Sequence, residues 1–417
     1  MDLICPERRV GWCSQSGLSG APRGRIGRHM KARVSESMRG RRARPLPAAL
    51  DFFAGSGLVR AGLEPEFRVV WANDNCPKKA AVYAANYGSD RFRLGDVREV
   101  RGADLPGADL AWASFPCQDL SLAGSLQGMR EGTRSGLYWE WMRVLDELAA
   151  AGRGAPILVA ENVVGFLAAG GGAHFRAAYE AMRRRGYRAG AVVLDARLFV
   201  PQSRPRAFLI AALEGIELGG LTQDGPSEPF HAPGVIRAAQ AVRDPEWVWW
   251  ALPPPSARVP RFAEICDRDA PCEQWGQARS YFDMLSPANR AKLDLAMRAD
   301  RLLIGTGYKR TRPGPDKKRR QRLELRFDGI AGCLRTPEGG SSRQMVVIVE
   351  RGAVRSRLMT VGECARLMGA PERFRLTGGY NDGYRAMGDA VAVPVTRWLA
   401  KHILAPLALR RRRRRAA

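Results

Sequence analysis

Ala49-Leu50-Asp51-Phe52-Phe53-Ala54-Gly55-Ser56-Gly57 is the stretch on which the fold turns. Ala49–Phe53 has the make-up of a buried strand, and it runs directly into a turn with two glycines before an amphipathic stretch begins. Strand, Gly-rich turn and helix in that order open an α/β sheet whose turn lets the backbone approach a nucleoside-containing ligand closely. The spacing is not that of dinucleotide-binding proteins, because the next glycine after Gly57 is Gly62. Taken alone, the segment fits a simple tight turn equally well.

Its neighbours decide the matter. Further strands are expected at Phe67–Asn73, Leu110–Ser114, Pro156–Ala160, Gly190–Asp195 and Ala207–Ala212, with helices at Pro77–Tyr87, Leu137–Ala151 and Ala173–Arg185. Short apolar runs alternating with amphipathic ones predict a parallel sheet covered by helices, an α/β class. Asp74 ends the second strand, where a carboxylate can accept from ribose hydroxyls, and Asp96 follows the third repeat in Gly95-Asp96-Val97. A strand-end acid is often only a helix cap. Two in register behind a Gly-rich turn favour a cofactor.

Ser114-Phe115-Pro116-Cys117-Gln118-Asp119-Leu120-Ser121 puts a cysteine directly after a proline at the end of the fourth strand. That edge of an open α/β sheet is where ligands sit. Most free cysteines are small buried hydrophobes, but these flanks are polar and turn-like. Glu161-Asn162-Val163 ends the next strand, so its carboxylate is expected on the same edge, a nucleophile and an acid/base facing one pocket. Gln202-Ser203-Arg204-Pro205-Arg206 precedes another strand and offers two guanidiniums.

Composition points the same way. The 417 residues carry 67 Lys/Arg against 42 Asp/Glu, a net charge of +25, and a polyanionic partner is the natural reading. Residues 1–45 hold 11 Lys/Arg against 3 acids, Arg410 to Arg415 add six charges, and Arg301 to Arg326 hold ten Lys/Arg against two acids. The last cluster alone lies within sequence patterned as a folded domain. The 8 cysteines show no C-x-x-C pair, and there is no clustered His to complete a zinc site, so neither a disulfide framework nor a metal is expected. No apolar run is long enough for a signal peptide or a membrane span, which predicts a soluble, intracellular protein without a membrane partner.

After residue 215 Pro and Trp accumulate (Pro253-Pro254-Pro255; Trp247, Trp249, Trp250) and periodicity fades. The expected organisation is a basic, disordered leader (1–45), a catalytic and cofactor-binding domain (46–215), an irregular target-recognition domain (216–384), a C-terminal helix returning to the first domain (385–409) and an Arg-rich tail (410–417).

In order, FAGSG, a strand-end Asp, GDV, FPCQ, ENV and QSRPR resemble the conserved blocks of the cytosine-5 DNA methyltransferases. Arg357 to Gly369 (RLMTVGECARLMG) resembles that family's penultimate block, and Gly388-Asp389-Ala390-Val391 its last; the resemblance spans roughly residues 48–405. It implies a class I S-adenosylmethionine-dependent, Rossmann-like sheet with a smaller target-recognition domain. It also implies transfer of a methyl group to C5 of a cytosine flipped out of duplex DNA. By the same resemblance the Cys117 thiolate adds to C6, Glu161 holds and protonates N3, and Arg206 reaches O2, with Arg204 and Asn162 in the same catalytic group. Phe53 is expected at the adenine, Asp74 at the ribose and Asp96 at the adenine amino group, with Ala54, Gly55, Gly57, Asn75, Val97, Pro116, Leu137 and Asp389 completing the cofactor site. Gly124–Ser135 is expected to close over the flipped base. The chain departs from the family where Asp389 replaces the usual Asn and Ser114 a common Gly.

For DNA, the resemblance adds Gln118 and Ser121 beside the nucleophile. The basic cluster with Lys309 and Arg310 is expected on phosphates, and Arg343 and Gln344 in a base-reading loop, since Arg and Gln pair bidentately with guanine and adenine. The expected setting is a monomer in the bacterial cytoplasm, at the nucleoid, with a cognate restriction endonuclease acting separately. An RNA cytosine methyltransferase and a catalytically silent DNA-binding protein are the alternatives. The long segment between Arg206 and Arg357 argues for DNA, and intact Cys117, Glu161 and Arg206 argue for catalysis.

Overall fold

A computed structural model describes residues 45–116, 136–255, 258–274, 281–314, 318–336 and 343–416. The leader, Cys117, Gln118, Ser121 and the expected closing segment Gly124–Ser135 lie outside the described residues.

The first half runs β1 (Ala48–Phe52), α1 (Leu58–Leu63), β2 (Arg68–Asp74), α2 (Pro77–Tyr87), β3 (Phe92–Leu94), β4 (Leu110–Ala113), α3 (Leu137–Ala150), β5 (Ile157–Val163), α4 (Ala173–Arg183), β6 (Tyr187–Asp195) and β7 (Pro205–Leu213). These strands form one sheet in the order β3-β2-β1-β4-β5-β7-β6. The chain winds outward from β1 to β3 and returns to β4 on the other side of β1, so a topological switch point lies between β1 and β4. The period of two divides the sheet: Leu110, Trp112, Ile157 and Val159 face one core, while Ala111, Ala113, Leu158 and Ala160 face the other with α3 and α4.

Two sequence expectations are corrected here. The sheet is not wholly parallel, because β7 runs antiparallel to both β5 and β6. A strand's apolar pattern carries no direction. The first core unit also does not stop at residue 215. Val248 N donates to Ala189 O, Trp250 Nε1 donates to Gly190 O and Ile210 O, and Trp247 stacks on Tyr179, while α5 (Pro233–Val242) packs on α4 and β6. Trp247 and Trp250 are buried in the cores of the large sheet, and Trp249 packs partly buried against one of them.

Beyond them come α6 (Phe262–Ile265), β8 (Glu273–Gln274), α7 (Pro287–Arg298), β9 (Leu303–Pro313), β10 (Arg319–Arg326), β11 (Met345–Glu350) and β12 (Ala353–Leu358). The strands form an antiparallel sheet, β10-β9-β11-β12-β8. Met345, Val347 and Val349 meet Phe282 and Leu293 on one face, and Val346 and Ile348 join the large core on the other.

The chain then returns through α8 (Val361–Leu367), α9 (Tyr380–Asp389), α10 (Val393–Leu399) and, after a short π-helical segment, α11 (Ala405–Ala416). Helix α10 lies against α1, where a Cβ on Gly62 would fall 2.5 Å from Thr396 Cβ. Thr360 and Glu363 form a capping box at the start of α8. The same Glu363 carboxylate is buried and bidentate with Arg357 at 2.7 Å on both oxygens, and it also accepts from Asp267 N. Burial opposes its charge, but Arg357 and these donors hold its carboxyl below the usual range. Arg410 and Arg412 are not a free tail: α11 continues through them, and Arg412 pairs with Asp109 at 2.9 Å.

Candidate active site

The carboxyl ends of β3, β2, β1, β4 and β5 all open on one edge of the large sheet. Because β7 is antiparallel, its amino end reaches that edge too, and Arg206 sits opposite Val163. Reading along the strand order, the edge presents Asp96, Asp74, Phe53 to Gly57, Ser114 to Pro116, Glu161 with Asn162, and Arg206. Sequence placed Arg206 before a strand. The structure puts it within β7, and only the reversed direction brings it to Glu161.

Glu161 is 6% exposed, and its Oε1 lies 3.2 Å from Arg206 Nε. Burial raises the carboxyl pKa above its ordinary value, against the pull of Arg206, Arg204 and the Ser114 hydroxyl. A buried carboxyl that keeps its proton above the usual range can donate to a ring nitrogen. Ser114 also accepts from Trp112 Nε1 at 3.0 Å. Asn162 is buried with its Nδ2 on Phe115 O at 3.2 Å and its Oδ1 accepting from Val163 N. It therefore ties β5 to the segment leading through Pro116 to Cys117, a positioning role.

Arg204 is placed differently from the catalytic expectation. It is 1% exposed, and its guanidinium donates to Leu334 O, Gly388 O, Ala390 O and Cys333 Sγ at 2.6 to 3.2 Å. Those bonds staple the entry of β7 to the segment after β10 and to the last block. Gln344 is likewise corrected as a base reader. It is 2% exposed, its Nε2 donates to Cys333 O, and its backbone N donates to Tyr384 Oη, so it is part of the interior. Arg343 is turned to α9, against Asn381 and the Tyr380 ring.

At the Gly-rich turn, Phe53 and Gly55 both take positive φ, 58° and 56°. Gly57 has φ 87°, and a Cβ there would lie 2.7 Å from Tyr87, so Gly57 is fixed by packing. Among the described residues the nearest atom to such a Cβ on Gly55 is Lys79 Cδ at 3.9 Å, so these residues leave room there for a ligand. Asp74 holds the turn, accepting from Gly55 N and Cys76 N, both at 2.9 Å. Asn75 is exposed beside it. Asp96 caps the next short turn through Arg98 N at 2.9 Å, and the side chains of Val97, Ala54 and Leu137 are buried in the cores. Lys79 pairs with Asp389 at 2.7 Å, and Thr336 Oγ1 donates to the same carboxylate at 3.0 Å.

Asp51 is a site residue that sequence reasoning passed over. Its carboxyl is fully buried, with neither oxygen hydrogen-bonded among the described residues, and burial pushes its pKa from 3.8 up to about 8. The native state thus keeps a proton that the unfolded chain releases near pH ~4, so it binds more protons in that window and stability falls as pH rises toward about 8. Asp51→Asn is expected to abolish that fall, checked by thermal melts across the interval; superimposable pH profiles for the two proteins would contradict it.

The basic cluster forms a ribbon. β11 accompanies β9 only from Leu303 to Gly307, and beyond that β9 has β10 as its partner. Arg310 opposes Arg322 and Arg312 opposes Arg320 on one face, with Glu324 the acid that meets Arg312 at 2.7 Å. Like charges directly opposed destabilise a ribbon unless an anion lies across them. Lys309 is on the other face, over the Tyr281 ring. Among the described residues no group of His, Cys, Asp and Glu could hold a metal ion, and no helix is long and apolar enough to cross a membrane.

Known proteins resemble the chain in sequence and fold. The family model for C-5 cytosine-specific DNA methylase matches residues 48–244 and 301–405. The chain is 24% identical over 359 residues to the Type II methyltransferase M.MspI of Moraxella sp, covering 85% of this chain and 69% of that protein. It is 25% identical over 362 residues to M.NlaX of Neisseria lactamica, covering 86% and 96%. The crystal structure of the S. pombe Dnmt2 methyltransferase superposes with a TM-score of 0.53 at 18% identity, covering 87% of this chain and 99% of that one, a likeness of fold.

Proposed function

Because the chain belongs to the C-5 cytosine-specific DNA methylase family and is a methyltransferase acting on DNA cytosine, we propose that it methylates a cytosine flipped from a specific duplex sequence, through a covalent bond between Cys117 and C6. The observation that supports this most is the Glu161–Arg206 pair at the sheet edge, next to the segment that Asn162 ties down and that leads into Cys117. S-adenosylmethionine, when bound, supplies an electrophilic methyl group on a sulfonium. The open Gly55 turn, Asp74 and the orphaned Asp51 carboxyl suit such a cofactor, with its adenine toward Phe53 and Asp96 and its ribose toward Asp74 and Asn75.

C5 of cytosine is a poor nucleophile within the aromatic ring. The Cys117 thiolate adds to C6, and the ring electrons move toward N3 and O2. Glu161 gives N3 a proton, and Arg206 faces the charge developing on O2. That leaves C5 electron-rich, the atom that would accept the methyl group the cofactor supplies. A water accepts the C5 proton, N3 returns its proton to Glu161, the electron pair re-forms the C5–C6 double bond, and Cys117 leaves as thiolate. A stacked base cannot reach these buried groups, so the nucleotide leaves the helix at a cost of a few kcal/mol.

The arginine-lined face of the β9–β10 ribbon and Lys309 are assigned to the DNA. A two-stranded ribbon is of a width that the major groove admits, and its cations neutralise phosphates. A separate restriction endonuclease and a monomeric state complete the reading. Bisulfite sequencing of duplex DNA incubated with the protein and S-adenosylmethionine is expected to show protected cytosines in one sequence context. Protection without a common context, or transfer to RNA in preference to duplex DNA, would overturn it.

A further inference from the structure

The methyl-transfer chemistry makes no use of the Lys79–Asp389 pair. Lys79 is in the first turn of α2 and Asp389 is the last residue of α9, and their side chains are 22% and 36% exposed. A partly exposed ion pair contributes little net stability, about 0–1 kcal/mol. The place of the pair is more telling. The Lys79 stem passes the open Gly55 turn at the end of β1, and Thr336 fixes the far side of Asp389.

Strands lie about 4.8 Å apart, so three steps along the edge from β3 to β4 span roughly 14 Å. A cofactor with its adenine between Phe53 and Asp96 and its ribose at β2 lays its amino-acid end over the Gly-rich turn after β1 if its methyl group is to face β4. That end is a zwitterion, a carboxylate and an ammonium on one carbon. Lys79 and Asp389 supply one cation and one anion side by side at that point.

We propose that Lys79 binds the α-carboxylate of the cofactor's amino-acid end, with Asp389 orienting the Lys79 ammonium toward it. This rests on the reading that the cofactor lies along this edge. It also accounts for Asp389 where the family usually has Asn, since a carboxylate pairs with a lysine and a neutral amide pairs with it far more weakly. Lys79 stays charged there: burial disfavours its charge, but Asp389 and Asp74 outweigh that and raise its pKa.

Calorimetric titration of the full chain with S-adenosylhomocysteine, and with 5′-methylthioadenosine, which lacks the amino-acid end, separates the possibilities. Lys79→Ala and Lys79→Gln are expected to weaken S-adenosylhomocysteine about 10- to 100-fold, the range of a charge-assisted hydrogen bond, and methylthioadenosine less than about twofold. Lys79→Arg should bind S-adenosylhomocysteine within about threefold of wild type. Equal loss for both ligands would make the pair a structural tie and overturn the proposal, as would no loss for either. If wild type binds neither ligand, the cofactor reading fails and the role of Lys79 with it.

Discussion

Glu161→Gln lowers kcat by about 10²- to 10⁴-fold, the range of a lost general acid, with the KM for S-adenosylmethionine within about twofold of wild type. Gln keeps the size of the side chain and can still donate a hydrogen bond to N3, but it has no proton to give. The affinity for cofactor is spared because Glu161 stands at β5, beyond β4 on the far side of the Gly-rich turn. The pH profile carries a second signature. Burial raises the Glu161 pKa, so its acid form survives above the usual carboxylate range and is lost as pH rises through the raised value. A wild-type limb that falls in that direction, and its absence in Glu161→Gln, is expected in single-turnover rates. A Glu161→Gln protein whose kcat stays within about tenfold of wild type would remove Glu161 from the chemistry.

Cys117→Ser has a still larger effect, about 10⁴-fold or more on methyl transfer, because a serine hydroxyl at neutral pH is not ionised and no group near it is proposed to take its proton. Binding should survive. Cofactor affinity within about threefold of wild type and retention of duplex binding would show that the loss is chemical. Equal losses in binding and turnover would show that the substitution has damaged the fold.

The features legible in the sequence were those written locally. Strand, Gly-rich turn and helix from Ala49 onward follow from composition and period, and a strand-end acid announces an edge whatever lies beyond it. Arg204 and Gln344 were misread because their roles are set at long range. Arg204 meets carbonyls at residues 334, 388 and 390, and Gln344 meets Cys333 and Tyr384, none of which an Arg or Gln side chain can signal in its own neighbourhood. The direction of β7 was hidden for a related reason: alternation reads the same both ways, and only pairing with β5 places Arg206 beside Glu161. Trp247 to Trp250 looked irregular because they cap a sheet without forming a strand of it. Lys79 and Asp389 lie in separate blocks, and each alone is an ordinary surface charge.

The central claim is a covalent bond from Cys117 to the base, and a duplex carrying 5-fluorocytosine at the methylated position measures it. Fluorine cannot leave C5 as a proton does, so the adduct formed after methyl transfer is trapped. Denaturing mass spectrometry of the full chain with that duplex and S-adenosylmethionine should show protein plus the methylated strand, joined at Cys117, and no such species for Cys117→Ser. Wild-type protein that methylates the ordinary duplex yet forms no adduct with the fluorinated one would contradict the covalent mechanism.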